Sequence, residues 1–324
     1  MSARRFTVEF TAVLVACLAA TAAQSAEYEF DPHSDVIGTL QKITAAHEDT
    51  FVSLARRFNV GFEELRQANP GVDPWLPGEG TEITIPSAHV LPRAERRGIV
   101  INIPEYRLYY FPEGGGTVIT HPISIGRQDW RTPLGPASVV NKAIKPTWYP
   151  PQSIREEHAA RNDPLPAAVP PGPDNPLGEH AIYLSIPGYL VHGTNKPAGI
   201  GMRVTHGCIR MYPEDIEALF NAVDEGTPVR IVNQPYKLGW GKDGLYFEAH
   251  LPLTEEVERG EWSPTAFTRE YVAVTDEGGA DVRWDVAEEI MRDARGVPGF
   301  VSVERMARQR SDVSTEDSVA GGTF

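Results

Sequence analysis

The stretch GIVINIPEYRLYYF, Gly98 to Phe111, limits the possible folds more than any other part of the chain. β-branched and aromatic residues fill it, and one proline interrupts it. Such side chains suit a pleated, packed surface, so the run reads as a pair of strands. The segments after it repeat the pattern. Gly114 to Thr117 turn the chain, TVITHPISIG is a further strand, and TPLGPASVVNKAIKPTWYPP continues with proline punctuation. HAIYLSIPGYLVHGT returns to strand. Pro213 then takes the first position of a helix, with Glu214 and Asp215 in its electropositive first turn. That helix carries Ile216, Leu219 and Phe220 to about Val223, and TPVRIVNQPYKLGW closes the unit. A mainly β, sandwich-like domain is expected over 97–233, with one short helix after Cys208.

Residues 151–177 break this pattern. Their prolines and charges exclude a central strand, because proline cannot donate to a ladder. A loop this long inside a compact domain is often functional, and a lid is expected. A small βααβ module is expected over 38–87. Phe51, Leu54, Ala55 and Phe58 mark one helix, with Asp49 or Thr50 able to cap it. Phe62, Leu65 and Ala68 mark a second, ended by Asn69-Pro70-Gly71. Residues 234–310 read as an α+β extension, with GLYFEAHLPL as strand and WDVAEEIMRDAR as helix. No chemical motif occurs there. The polar stretch 311–324 is expected to be disordered.

The first 26 residues read as an export signal. Arg4 and Arg5 precede an apolar run, Phe10 to Ala20, and small residues follow, with cleavage between about Ala22 and Ala26. The alternative is a lipoprotein cleavage box ending at Cys17. The formal net charge of −14 disfavours a general nucleic-acid binder, whose footprint would be a basic face. Of the two cysteines, Cys17 lies in the signal, so an exported chain keeps only Cys208. One cysteine cannot close an internal disulfide.

Cys208 sits in VTHGCIRM, with His206 two residues before it and His192 at the end of YLVH. A thiol is a weak nucleophile until a base removes its proton, so a cysteine with a nearby histidine is a candidate nucleophilic pair. In extended chain His206 shares a face with Cys208. If the two strands pair, His192 can face the thiol across them. Spacing does not choose between the two histidines. The other readings are a zinc site from His192, His206 and Cys208, which is short of ligands, and an inert buried cysteine. His121, His158 and His180 read as packing or surface residues, and Glu156 and Glu157 as a solvated charge pair.

Two resemblances bear on this. DTFVSLARRFNVGFEELRQANP and LPGEGTEITIP resemble a LysM module, which implies binding of glycans containing N-acetylglucosamine. HGT at 192–194, followed by Thr205-His206-Gly207-Cys208-Ile209-Arg210, resembles the signature of the YkuD-type L,D-transpeptidases. Thr205 stands where serine is commoner. With the LysM-like module, the chain looks most like the periplasmic Gram-negative branch that joins an abundant outer-membrane lipoprotein to peptidoglycan. The resemblance implies Cys208 as nucleophile and His192 as general base and acid, oriented by the Gly193 carbonyl. It implies backbone donors at His206, Gly207 and Cys208 facing the oxyanion, and Arg210 shaping the substrate pocket. The implied reaction is acyl transfer from the L-centre of meso-diaminopimelate in a stem tetrapeptide to an amine, with release of D-Ala, sensitivity to carbapenems and no cofactor or metal. The amine would belong to a lipoprotein lysine, another stem or a free D-amino acid. The alternatives are hydrolysis at the same site, as an L,D-carboxypeptidase, and a non-catalytic wall-binding protein.

Overall fold

A computed structural model describes residues 26–302, apart from residues 30, 264 and 276–279. Residues 1–25 of the expected signal, with Cys17, and the tail at 311–324 lie outside the described residues.

Strand β1 (Ala26–Glu29) lines an edge of the main sheet, and β2 (Val36–Gly38) follows it. The N-terminal module then runs β3 (Gln41–Thr44), α1 (Phe51–Arg57), α2 (Phe62–Ala68) and β4 (Glu82–Ile85). β3 and β4 pair antiparallel, with Ile43 opposite Ile83. Phe51, Leu54, Leu65, Ile83 and Ile85 are fully buried and form its core. Thr50 is the cap of α1. Its hydroxyl accepts the Ser53 N–H at 3.1 Å, and the Ser53 hydroxyl accepts the Thr50 N–H at 2.9 Å. This reciprocal box satisfies two donors that helix geometry leaves free. Strand β5 (Ala88–Val90) returns to pair with β2.

Strands β6 (Gly98–Asn102), β7 (Arg107–Phe111) and β8 (Thr117–Pro122) then form an antiparallel meander. Ile99, Ile101 and Leu108 enter the main core, while Val100, Tyr109 and Phe111 pack with Ile37 and Leu91 on the opposite face. Burial on both faces explains the near-continuous apolar run. The chain continues through β9 (Ile125–Gly126), β10 (Gly135–Ile144), α3 (Gln152–Ala160), β11 (His180–Leu184), β12 (Leu190–His192), β13 (Arg203–Thr205), β14 (Ile209–Arg210), α4 (Pro213–Ala222) and β15 (Pro228–Val232). Nine strands form one mixed sheet in the order β1-β8-β7-β6-β15-β10-β11-β12-β14. β10 serves two partners. Gly135 to Ser138 pair with β15, and Val139 to Ile144 with β11, across an irregularity at Val139–Asn141. An irregularity of this kind bends a strand. α4 lays Ile216 and Leu219 into the main core beneath the sheet.

Two expectations change. The segment 151–177, read as an irregular lid, contains the nine-residue helix α3. The stretch SIREEHAA is free of proline, and Pro151 occupies the cap position, where it costs the helix no hydrogen bond. The strand expected to close the β domain is also split. Pro228–Val232 stays in the main sheet, but β16 (Tyr236–Trp240) joins β17 (Leu245–Ala249) and β18 (Gly299–Ser302) in a separate sheet. Helices α5 (Thr254–Glu258), α6 (Thr265–Thr275) and α7 (Trp284–Asp293) complete this C-terminal α+β extension.

A buried charge cluster joins the catalytic unit to the C-terminal extension and to β5. Lys237 of β16 donates to Glu105 at 2.7 Å and lies 2.9 Å from Glu248 of β17. Glu248 in turn accepts the Val90 N–H of β5 and contacts His250 at 2.6 Å.

Candidate active site

His192 is the last residue of β12, and Cys208 immediately precedes β14. The two strands pair in parallel, with Val191 opposite Ile209 and His192 opposite Arg210. Strand alternation places Cys208 on the face of Arg210, so Cys208, Arg210 and His192 share one side. The Met211 N–H donates to the His192 carbonyl at 2.9 Å, and Arg210 exchanges backbone bonds with Ser124 at 2.8 and 3.0 Å. The strands bearing the two reactive groups are therefore tied on both sides.

His192 is buried, and its Nδ1 lies 2.7 Å from the Gly193 carbonyl oxygen. A carbonyl only accepts, so Nδ1 carries the hydrogen and Nε2 keeps its lone pair. Burial, and then the charge of Arg210, pull the imidazole down to about 3 against the opposing pull of the Gly193 and Leu177 carbonyls. Cys208 is half-buried. Desolvation pushes its thiol up, and the Leu190 backbone and Arg210 offset part of this. Both partners therefore rest neutral. Arg210 is itself lowered by burial. Its Nε is buried and has no hydrogen-bond partner among the described residues.

The turn before Cys208 is held by two threonines. The Thr205 hydroxyl donates to the Cys208 carbonyl at 2.6 Å and accepts the Gly207 N–H at 3.2 Å. The Thr132 hydroxyl donates to the Gly207 carbonyl at 2.9 Å and accepts the Gly126 N–H at 3.1 Å. Gly207 adopts a φ of +99°, and a Cβ there would stand 2.9 Å from the Tyr189 ring and 3.1 Å from the Arg131 carbonyl. Only glycine fits without strain.

His206 does not orient toward the same partner as His192. Its Nε2 meets Glu157 of α3 at 3.0 Å, and its ring stands edge-on to Trp130 at 4.9 Å. Glu157 is thus not a solvated charge, because it also accepts from Arg127 at 2.8 Å and Arg161 at 2.5 Å. Glu156 is exposed, and its carboxylate accepts from Gln152 at 2.7 Å. His121 is buried 3.2 Å from Asp215, His158 lies 3.1 Å from Asp163, and His180 packs on Phe220 at 5.0 Å.

Among the described residues, one cluster brings three possible metal ligands together, His89, Glu105 and Glu248, within 4.8 Å. The Lys237 ammonium already pairs with both of its carboxylates. No such cluster includes Cys208, so the zinc arrangement of His192, His206 and Cys208 is not formed.

Sequence reasoning missed the residues that brace this turn from outside. Arg203 of β13 pairs with Glu255 of α5 through two 2.7 Å bonds and donates to the Gly126 carbonyl at 3.1 Å. Thr132 and Glu157 act on it in the same way. Glu255, Thr132 and Glu157 all lie far from Cys208 in sequence.

Comparison with known proteins identifies a family and relatives of this chain. The profile of the family described as "YkuD: L,D-transpeptidase catalytic domain" matches residues 96–231. The probable L,D-transpeptidase YcfS of Escherichia coli K12 is 48% identical over 211 residues, which are 64% of this chain and 66% of YcfS. The probable L,D-transpeptidase YbiS of the same strain is 40% identical over 272 residues, 82% of this chain and 88% of YbiS. Among solved structures, the catalytic domain of the E. faecium L,D-transpeptidase is similar at 23% identity and a TM-score of 0.33, over 44% of this chain and 100% of that one.

Proposed function

The chain belongs to the L,D-transpeptidase family, and from that membership we propose that it transfers acyl groups of peptidoglycan stem peptides through a thioester on Cys208. The observation that carries the proposal is the parallel pairing of β12 and β14, which sets His192 opposite Arg210 and leaves Cys208 two positions before Arg210 on the same face. With Nδ1–H on the Gly193 carbonyl, His192 Nε2 takes the thiol proton as sulfur attacks the donor carbonyl. The sulfur–carbon bond forms, the carbonyl oxygen becomes an oxyanion, and the backbone N–H groups of His206 and Cys208 receive it, the Gly207 N–H being held by Thr205. Each such donor contributes on the order of 3 kcal/mol in other acyl-transfer enzymes. Collapse breaks the peptide bond, and the His192 proton leaves with the departing D-Ala amine. An acceptor amine then attacks the thioester, losing its proton to His192 and returning the thiol.

Burial keeps the resting pair neutral, so ionisation has to accompany substrate binding. Arg210 favours the thiolate but opposes the imidazolium. A donor carboxylate on its unpartnered Nε removes that opposition where the base needs it. This fits a stem tetrapeptide ending at meso-diaminopimelate and D-Ala, which carries such carboxylates.

We assign the acceptor amine to a lipoprotein lysine or another stem. We assign glycan contact to the LysM-like module, admission of peptides to the 151–177 segment, and the protein to the periplasm. No helix among the described residues is long and apolar enough to cross a membrane. Mass spectrometry of the protein with a carbapenem and with a tetrapeptide donor tests the centre of this reading. One adduct is expected on wild-type protein and none on Cys208→Ala; equal labelling of both would falsify it. Products formed with water, a lysine peptide or a second stem then separate hydrolysis from transfer.

A further inference from the structure

The proposed acyl transfer does not use Glu157, yet this residue joins the lid helix to the nucleophile turn. It lies on α3 with its side chain 17% exposed. Its Oε2 is 3.0 Å from His206 Nε2, and its Oε1 accepts from Arg127 and Arg161. Among the described residues, the side-chain hydrogen bonds from α3 to the catalytic core all pass through this carboxylate. Arg127 ties the arrangement to the turn a second time, since its N–H donates to the Thr205 carbonyl at 3.0 Å. The His206 ring is enclosed by Trp130, edge-on at 4.9 Å, and by the His158 ring at 6.4 Å.

The chemistry follows from donor and acceptor roles. An ionised carboxylate only accepts, so His206 Nε2 carries the hydrogen and Nδ1 is left as an acceptor. Burial and the Arg127 charge hold the His206 ring below its usual range, so it is neutral near pH 7 and its tautomer is a real choice. The Arg127 bond, and then His206, keep Glu157 below the usual carboxylate range and hence ionised.

We propose that Glu157 is a positioning residue that fixes His206 in its Nε2–H tautomer and so makes docking of the lid helix and alignment of the Gly207–Cys208 turn a single event. The inference rests on the reading of Cys208 as nucleophile. A substrate that reaches the thiol meets an ordered turn only when α3 is seated. Displacing the helix frees the histidine ring to flip and releases one brace of the oxyanion backbone.

Glu157→Gln is the informative change. Glutamine keeps the shape but offers one acceptor oxygen where three donors converge. The expected result is a fall of about tenfold in the second-order rate of carbapenem acylation at Cys208, the scale of one partly exposed charge-assisted bond. The melting temperature should stay within a degree or two of wild type, as for partly exposed substitutions. Nitrogen-15 NMR of the histidines should show His206 as the Nε2–H tautomer in wild type and as a mixture in the variant. In a double-mutant cycle, Glu157→Gln should have little further effect once His206→Gln is present. Exposed Glu156→Gln on the same helix should acylate at the wild-type rate. Wild-type acylation and a single tautomer in Glu157→Gln would overturn the proposal, as would additive effects in the cycle. A wild-type protein that gives no Cys208 adduct would instead overturn the nucleophile assignment, and this proposal with it.

Discussion

Cys208 and His192 pull against their own ionisation. Burial raises the thiol and lowers the imidazole, so neither is charged before substrate arrives. This has a measurable consequence. His192 holds its proton only below about 3 in the folded protein, whereas an unfolded histidine takes one near 6.5. Above pH 6.5 both states are unprotonated and the group does not affect stability. As pH falls from 6.5 toward 3 the unfolded chain binds a proton that the folded chain refuses. Stability is then lost at up to about 1.4 kcal/mol per pH unit from this group alone. Denaturant midpoints at pH 7.5 and 5 should differ less in His192→Gln than in wild type; equal differences would show that the ring titrates normally. The motif residues at this scale were legible because HGT and THGC place glycine, histidine and cysteine where chemistry demands those residue types. The choice between the two histidines was not legible from spacing. A separation of two residues in extended chain allows His206 and strand pairing allows His192; the fold directs the His206 ring to Glu157 and places His192 opposite Arg210.

At the scale of elements, the short strand β13 matters more than its three residues suggest. It leads directly into His206 and is held from the C-terminal extension by the Arg203–Glu255 pair, whose side chains are 19% and 5% exposed. The Arg203 bond brings the Glu255 carboxylate below its usual range despite its burial. Removing one partner of a largely buried pair leaves an uncompensated charge. Glu255→Ala should therefore cost about 3 kcal/mol and slow acylation of Cys208. Calorimetry and carbapenem labelling would check this, and a variant with wild-type stability and labelling would remove α5 from the site's support. None of this was readable beforehand, because α5 is one turn with no periodic apolar face. The helix within 151–177 was not expected for a related reason. Prolines on both sides dominated the reading, and they permit a helix between them provided they stay out of its interior. The strands were easier, since burial on both faces of β6 and β7 leaves an unmistakable β-branched and aromatic run.

At the scale of the whole molecule, the N-terminal module is built into the catalytic unit. The Phe62 and Glu63 N–H groups of α2 donate to the carbonyls of Ile200 and Gly201, in the connection between His192 and Cys208. A Cβ on Gly201 would lie 2.4 Å from the Gly61 Cα, so the two backbones need glycine to meet. Met202 packs on the module's core, Arg56 bonds Glu214 at 3.0 Å, and Asn59 bonds Asp215 at 3.1 Å. Deepest is the pair of Glu64 and Arg107, with bonds of 2.7 and 2.9 Å and side chains 4% and 1% exposed. Burial raises Glu64 more than Arg107 lowers it, so desolvation offsets much of what the pair contributes. Glu64→Ala should still lose about 4 kcal/mol, because it leaves Arg107 buried and unpaired. Glu64→Leu with Arg107→Met should recover most of that loss. A double variant as unstable as the single one would show that the charges themselves hold the modules together.

From sequence alone the β character of the 97–233 unit, the βααβ order of the module and the glycine, histidine and cysteine of the 206–208 turn could be read. These depend on local alternation, capping and the steric needs of glycine, which act within a few residues. The tertiary structure decided which histidine stands opposite Arg210, what Glu157 does, and how both flanking parts grip residues 200–205. Those outcomes depend on burial and on partners far apart in sequence, as between Phe62 and Ile200. A carboxylate's role is set by the donors the fold brings to it, and no local pattern records them.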